Sequence, residues 1–235
     1  MEIARFDSIV LKRLKFGDTS LIATLLTRER GKMSVIAKGA RSPKSNRGLA
    51  SALEPLNRIE ATVYAKPTRT MQVISSAEIL DDFHAIKSDF DRITAATLFA
   101  KHIERMTFEE DACARTWDAL LTSLTLLASC ELDEVPSLRL RFRAEILSAG
   151  GLAPIVESCS LCGDILGGGA KFSAKGGGIR CEKCGGSGIT LDETDIALLK
   201  ALFANAPHDG VLRIPEGKLK KIEAIIEHHE RFHYD

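Results

Sequence analysis

The sequence lacks the features that would indicate a membrane protein, a secreted protein or a phosphate-binding enzyme. No apolar run in its 235 residues is long enough to span a bilayer, and residues 1–18 lack the uninterrupted apolar core of a signal peptide. Neither the glycines of 39–48 nor the GGGAK segment at 167–171 have the spacing and ending of a phosphate-binding loop. No nucleophile–base pair or carboxylate cluster stands out. An enzyme is therefore the least favoured of the function classes, and we expect a protein that is not an enzyme.

Net charge is also absent, because 32 basic residues balance 32 acidic ones, but the balance conceals an asymmetry. Residues 1–80 contain 14 Lys and Arg against 7 Asp and Glu, whereas the remaining residues contain 18 against 25. The two parts thus carry about +7 and −7. A basic part of this kind favours a polyanionic partner.

Residues 1–80 are predicted to be rich in β-strands. Five segments are separated by turn residues: FDSIVLKRLKF, TSLIATLLT, MSVIAKG, NRIEATVYA and TMQVISSAE. Their number and length fit a small barrel such as an OB-fold. An SH3-like barrel or an open five-stranded sheet would give the same pattern, so periodicity leaves these three alternatives open.

The basic residues of this part are concentrated between residues 28 and 47. Seven are found there against one acid, Glu29: Arg28, Arg30, Lys32, Lys38, Arg41, Lys44 and Arg47. Glycine, proline and asparagine make 39–48 a loop. A basic loop beside a small barrel predicts contact with nucleic acid, because neutralising phosphates dominates such affinity. A solvated loop with no ligand is the alternative.

After residue 80 the apolar spacing becomes helical, with predicted stripes at Ile86, Phe90, Ile93, Ala96 and Ala100 and at Trp117, Leu120, Leu121, Leu124 and Leu127. A third helix is predicted to begin near Pro136 and to end at Gly150–Gly151. Two basic pairs have i, i+4 spacing, Lys101 with Arg105 and Arg139 with Arg143. Pairing with nearby acids is the simplest role for these four.

Four of the six cysteines form two Cys-x-x-Cys pairs, each followed by glycine: Cys159, Cys162, Cys181 and Cys184. This spacing predicts a tetrahedral four-thiolate site for one structural Zn²⁺ ion. A redox-active pair occurs singly, and iron–sulfur clusters usually use other spacings, so both are less favoured. Between the pairs, AKFSAKGGGIRC predicts a small hairpin. Reduced thiolates indicate a cytoplasmic protein, and Cys113 and Cys130 are expected to be buried in helices.

The C-terminal part predicts two more helices. Thr190 and Glu193 have the spacing of a capping box, and the last helix is predicted to begin near Pro215. His229 and His233 could share a metal at i, i+4, but we expect a frayed, exposed tail there instead. The chain is thus predicted to be an α+β multidomain protein with a barrel at 1–80, helical segments at 81–152 and 190–235, and a zinc module at 153–189.

Four segments of the chain match the pattern of a known family. The most specific is the opening SIVLKRLKFGDTSLIATLLTRERGKMSVIAKGARSPKS, and the others are LEPLNRIEATVY, LSAGGLAPIVESCSLCG and CEKCGG. Through these segments, in order and length, nearly the whole chain resembles the bacterial RecO family of recombination-mediator proteins. The resemblance implies an N-terminal OB-fold, an all-α helical domain and an inserted zinc module. It also implies that the protein binds single- and double-stranded DNA in DNA repair, anneals complementary strands, works with RecR and helps load RecA onto DNA coated by the single-stranded-DNA-binding protein SSB.

Carried onto this chain, the resemblance implies DNA contacts at Arg28, Arg30, Lys38, Arg41, Lys44 and Arg47, and zinc ligands at the four cysteines. Some family members lack the cysteines, so zinc is not expected to supply the shared activity. Family behaviour and charge complementarity place the acidic, apolar-ended C-terminal tail of SSB near Lys101, Arg105, Arg139 and Arg143. Members are expected to associate with the nucleoid during repair. The alternative is a zinc-stabilised adaptor that binds a protein or RNA and does not anneal DNA.

Overall fold

The structure is a computed structural model that describes residues 2–42, 48–66, 68–108, 114–167, 169–204 and 211–234. The chain divides into two compact units, Met1–Ser129 and Cys130–Asp235. The boundary between them lies within the predicted helical segment 81–152. The predicted boundaries at residues 80, 152 and 189 stay predictions.

Five strands of the first unit close into a barrel: β1 (Glu2–Phe16), β2 (Ser20–Thr27), β3 (Gly31–Ala37), β4 (Arg58–Ala65) and β5 (Met71–Asp81). Their order around the barrel is β1-β2-β3-β5-β4, with β3 and β5 parallel and every other pair antiparallel. This is the topology of an OB-fold, so that prediction is confirmed and the two alternatives are excluded.

Strand β1 closes the barrel because it is long enough to pair twice. Its first half pairs with β4 and its second half with β2, and the register shifts between Val10 and Lys12. Such a bulge bends a strand and increases its twist, as closure of a small barrel requires. Alternating residues of β3 and β4 point into the core, and a short helix, α1 (Leu49–Ala52), adds Leu49 and Ala52 to it.

Three further helices complete the first unit: α2 (His84–Lys87), α3 (Phe90–Met106) and α4 (Ala114–Ser129). Lys32 of β3 donates to the carbonyl oxygens of Glu104, at 2.8 Å, and Thr107, at 2.6 Å, so a cation binds the C-terminal end of α3. The predicted α4 stripe is confirmed at Trp117, Leu120, Leu124 and Leu127, which are buried, whereas Leu121 is half-buried. The stripe predicted from Ile86 to Ala100 is divided between α2, which buries Ile86, and α3, which buries Ala96 and Ala100. It is wrong at Phe90, which is the first residue of α3 and is 81% exposed.

The second unit contains a 3₁₀ turn (Leu132–Glu134), three helices and a small sheet. The helices are α5 (Val135–Ala149), α6 (Glu193–Phe203) and α7 (Glu216–Tyr234), and the sheet has the order β7-β6-β8, formed by β6 (Lys171–Ser173), β7 (Gly178–Arg180) and β8 (Ile189–Thr190). The predicted hairpin is therefore confirmed as β6–β7. Phe172 and Ile179 of the hairpin pack in one core with residues of all three helices. The cysteine-bearing segment thus shares its hydrophobic core with the helices.

Two predictions for the C-terminal helices are wrong. The capping box of α6 is formed by Asp192 and Asp195, two residues after the predicted pair, because Thr190 is held in β8. The chain end is not frayed, because α7 continues to Tyr234 and buries His229 against Phe172, with ring centroids 5.7 Å apart. His229 donates from Nε2 to the carbonyl oxygen of Leu152 at 2.7 Å, and burial lowers the pKa of its imidazole. Cys130 is buried as predicted, whereas Cys113 lies outside the described residues.

Candidate nucleic-acid interface and metal centre

Arg41 is fixed at the tip of the β1–β2 turn. Its Nη2 donates to the carbonyl oxygen of Gly17 at 2.6 Å and its Nε to that of Ser20 at 3.2 Å, while its backbone N–H donates to the carbonyl oxygen of Thr19 at 2.8 Å. These acceptors are neutral, so the contacts orient the guanidinium without neutralising its charge. Two of its five N–H donors are used in this way. The turn therefore holds a positioned cation that can still bind an anion.

The other predicted DNA contacts are distributed over both ends of β3. Lys38 is exposed directly after β3, near Arg41 in the sequence. Arg28 and Arg30 lie at the opposite end, in the β2–β3 turn. Arg28 is 3.7 Å from Asp118 of α4, and the Arg30 guanidinium carbon lies 5.9 Å from the centre of the Phe6 ring. Lys44 and Arg47 lie outside the described residues.

Four exposed residues at the borders of the barrel face are candidate nucleic-acid contacts that the sequence pattern did not predict. Lys15 and Phe16 are exposed at the end of β1, and Lys66 and Arg69 are exposed in the β4–β5 loop. Buried Gln72 shapes that loop by donating from Nε2 to the carbonyl oxygens of Arg69, at 2.7 Å, and Lys66. In OB-folds the β1–β2 turn and the β4–β5 loop border the oligonucleotide-binding face. If an OB-fold is assumed, counting the basic residues in each predicted loop identifies Lys15, Lys66 and Arg69.

The two basic i, i+4 pairs have different surroundings. Arg143 of α5 pairs with Glu230 of α7 and lies 3.8 Å from Glu223, and Arg139 also lies 3.8 Å from Glu223. A shallow groove between α5 and α7 contains both arginines, and its lining is formed by Pro136, Arg139, Leu140, Arg143, Leu219 and Glu223. Lys101 and Arg105 are exposed on α3, in the other unit.

The four cysteines meet in the second unit. Their sulfur atoms all lie within 4.8 Å of one another, and Sγ of Cys162 is 3.7 Å from Sγ of Cys181. A tetrahedral ion with metal–sulfur bonds of about 2.3 Å places its ligands about 3.8 Å apart. The spacing therefore fits four sulfurs around a single ion.

Each Cys-x-x-Cys pair closes a tight turn that ends at glycine. Gly163 donates its N–H to the carbonyl oxygen of Cys159 at 2.9 Å, and Gly185 donates to that of Cys181 at 3.1 Å. Both glycines have positive φ, 78° and 52°, which glycine adopts at little cost. The two turns therefore bring four sulfurs to one point.

The electrostatics of the cluster also fit a cation. The backbone N–H groups of Cys162 and Cys181 lower the pKa of the Cys159 thiol to about 6. The Cys181 N–H donates a hydrogen bond to that sulfur at 3.4 Å. Hydrogen bonds with the thiols of Cys162 and Cys181 raise the pKa of Cys184 to about 12. Thiols this close do not all ionise unless a cation offsets their repulsion. The four cysteines therefore form a site that can hold a metal ion.

Among the described residues, no helix combines the length and the apolar character needed to cross a membrane.

Comparison with known proteins assigns both parts of the chain to one family. Residues 1–83 match the family described as Recombination protein O N terminal, and residues 87–235 match Recombination protein O C terminal. The sequence is 32% identical to the DNA repair protein RecO of Myxococcus xanthus over 84% of this chain and 79% of the relative. It is 30% identical to that of Symbiobacterium thermophilum over 96% and 85%, and 28% identical to that of Salinibacter ruber over 99% and 89%. The chain therefore belongs to the RecO family of DNA repair and recombination proteins, a family of non-catalytic mediators.

Proposed function

We propose that this protein is a recombination mediator that binds single- and double-stranded DNA, anneals complementary strands and helps RecA load onto strands coated by SSB. Membership of the RecO family over the full chain supports the biological role. The observation that carries the DNA-binding part is Arg41, whose guanidinium is held at the barrel face by neutral carbonyl groups. Annealing by this route requires only that the protein bind both strands, and no covalent bond is made or broken.

The basic side chains around the barrel act by neutralising phosphates. Each contact releases counterions from the strand, so affinity falls steeply as salt rises. With part of their charge neutralised, two strands repel each other less, and their bases can find their complements. Arg28 contributes less than Arg41, because an exposed carboxylate, Asp118, already lies beside it.

Charge reversal tests the assignment at Arg41. We expect Arg41→Glu to weaken binding of a fluorescent single strand at least tenfold at low salt and to flatten the plot of log affinity against log salt. Arg115→Glu is the matched control, since it reverses an exposed charge in the first turn of α4, where an acid favours the helix. If the parent and Arg41→Glu have equal affinities and equal salt slopes, Arg41 does not contact the DNA.

The annealing proposal is tested on complementary strands coated with SSB. The parent is expected to accelerate duplex formation, and Arg41→Glu to slow it, with Arg115→Glu like the parent. RecA filament formation on the coated strand, followed with and without RecR, tests the mediator step. A protein that binds neither strand at low salt, or that binds RNA alone, would support the rival adaptor function.

For the SSB tail, we propose the α5–α7 groove as the binding site, with Arg139 as its principal cation. The groove combines guanidinium groups with Leu140 and Leu219, as an acidic, apolar-ended peptide requires. Arg143 contributes less directly because Glu230 already occupies its Nε and Nη2. Lys101 and Arg105 on α3 form the competing location for the same peptide.

Glu223 provides a sharp test of this location. Its carboxylate lies 3.8 Å from both arginines and would repel an acidic peptide in the groove. Glu223→Gln is therefore expected to tighten tail binding severalfold, and Arg139→Ala to weaken it about tenfold. If only Lys101→Ala and Arg105→Ala change the affinity, the tail binds at α3 instead.

We also propose that the metal is one structural zinc ion, held by Cys159, Cys162, Cys181 and Cys184. Four thiolates occupy every position of a tetrahedral ion, which leaves no open position for a reacting water. Elemental analysis of purified protein should give about one zinc per chain, and Cys184→Ser should reduce it. A single iron in place of zinc would contradict the assignment, since four sulfurs can hold either metal.

A further inference from the structure

We propose that the outer face of the barrel carries a stacking site for unpaired bases, in which Phe16 contacts the base directly. This inference rests on the proposed DNA-binding function and deepens it, because it adds a surface that distinguishes single strands from duplex. Phosphate contacts bind both forms of DNA, whereas a stacking site needs bases that are free of their partners.

The first observation is a row of apolar side chains in register across the outside of all five strands. Leu14 lies opposite Ile22, Ile22 opposite Ile36, Ile36 opposite Val73, and Val73 opposite Tyr64. Residues opposite each other in a sheet point to the same side. We call these five residues the apolar stripe.

The stripe lies on the outer side of the barrel. Its members in β3, β4 and β5 alternate with buried core residues, and they are themselves half-buried. Leu14 is 58% exposed. Near the other end of β2 the outer face is covered, since Leu26 is only 2% exposed. An open apolar surface therefore remains beside the β1–β2 turn.

Phe16 stands at the end of this open surface. It follows Leu14 by two residues on β1 and so points to the same side, and it lies opposite Ser20. Its side chain is 53% exposed. Within the described ranges it makes no ring contact with another aromatic residue. An exposed, unstacked ring beside the Arg41 guanidinium at Gly17 is suited to receive a planar base.

The charges around the stripe favour nucleic acid over a protein. The three segments at its borders, 15–20, 38–42 and 66–70, contain five basic residues and one acid, Asp18. The basic residues are Lys15, Lys38, Arg41, Lys66 and Arg69. Apolar contacts with a cationic border match a polymer that has planar bases and an anionic backbone. A duplex cannot use the stripe, because its bases face each other.

The test compares Phe16→Ala with Arg41→Ala in the full-length chain, by fluorescence anisotropy over a salt series. Phe16→Ala should lower affinity for an oligothymidine strand about 5- to 100-fold, the range supplied by one stacked base, and leave duplex affinity and the salt slope unchanged. Arg41→Ala should weaken both forms and reduce the slope by about one phosphate contact. Phe90→Ala is the matched control, because it removes an exposed ring from the helical surface rather than from the barrel.

A second arm detects stacking itself. Trp117 is the chain's only tryptophan and is buried, so Phe16→Trp introduces an exposed fluorophore whose emission should be quenched by the strand. An abasic strand of equal length should not quench it, and its affinity should be the same for parent and Phe16→Ala.

The outcomes separate the inference from the function on which it rests. If the parent binds no DNA, the proposed function fails. If the parent binds DNA but Phe16→Ala binds the intact strand as tightly as the parent, the stacking site is refuted and DNA binding stands. Equal losses on duplex and single strand would likewise refute a base-contacting role for Phe16.

Discussion

Arg143 of α5 and Glu230 of α7 form a two-point ion pair, with Nε 3.0 Å from Oε1 and Nη2 2.6 Å from Oε2. The two side chains are only 17% and 9% exposed. Their residues are 87 positions apart in the sequence, so the pair joins two helices that only the folded chain brings together. The pair is bidentate, with two parallel N–H···O hydrogen bonds between the guanidinium and the carboxylate.

Removing one partner of this pair should destabilise the second unit. Arg143→Ala leaves the Glu230 carboxylate buried without its cation, which costs about 3 kcal/mol in the free energy of unfolding. The double variant Arg143→Met/Glu230→Leu removes both charges and should recover most of the loss. Urea unfolding measures both values. A single variant as stable as the parent would show that the pair is not needed for stability.

Gly178 should not tolerate a methyl group. Its φ is 149°, and a Cβ atom there would overlap the backbone of Ile155, at 2.7 Å from its nitrogen. Gly178→Ala must therefore separate β7 from the Ile155 segment, and we expect a loss of at least about 2 kcal/mol.

Gly167→Ala is the matched control for this substitution, because a Cβ atom at Gly167 meets nothing within 4 Å and its φ is not positive. Its stability should lie within about 0.5 kcal/mol of the parent. Urea unfolding of both variants makes the comparison. Equal losses in the two would contradict the steric explanation.

Chelation should destabilise the second unit and spare the first. Loss of the proposed zinc ion leaves four thiolates without the cation that they share, and we expect the melting temperature of the second unit to fall by more than about 10 °C. Hydrogen exchange should increase first around the cysteine turns, 158–165 and 180–186. Emission from buried Trp117, in the first unit, should not change. Simultaneous loss of the Trp117 signal would contradict the independent response of the two units.

The acid stability of the second unit should depend on Asp195. Burial alone would raise the pKa of this carboxyl, but hydrogen bonds from Lys218, at 2.8 Å, and Lys221 outweigh burial and lower it to about 2. Because the folded pKa lies below the unfolded value of about 3.9, the stabilisation is complete above pH 4 and is lost as the pH falls through 2.

Asp195→Asn should therefore be less stable than the parent at neutral pH, and the difference should shrink as the pH falls from about 4 to about 2. Urea midpoints of the two proteins at each pH give the difference directly. Asp133→Asn, at an exposed position, controls for the loss of an acid. A difference that is constant with pH would contradict the role of the lysines.

Local patterns predicted most of the elements. Alternation and turn residues predicted the five barrel strands, and Pro136, Gly150 and Pro215 predicted helix ends within a residue or two. The errors arose where two local signals compete. Thr190 and Asp192 both begin a capping-box spacing, and pairing of Thr190 with Lys171 in the sheet leaves the cap to Asp192. The paired histidines of the tail resemble a surface segment, but α7 packs against β6 and buries one of them.

The sequence alone predicted the candidate metal site, because two Cys-x-x-Cys-Gly turns have one compact geometry and four thiolates require a cation. It also determined that residues 1–80 form a small β-structure with a basic surface. Which basic residues remain available for an anionic partner depends on the folded chain. Arg41 is oriented by neutral carbonyls, Arg28 lies beside Asp118, and Arg143 is bound by Glu230. A charge acts through its neighbours, and in a folded chain those neighbours come from distant parts of the sequence.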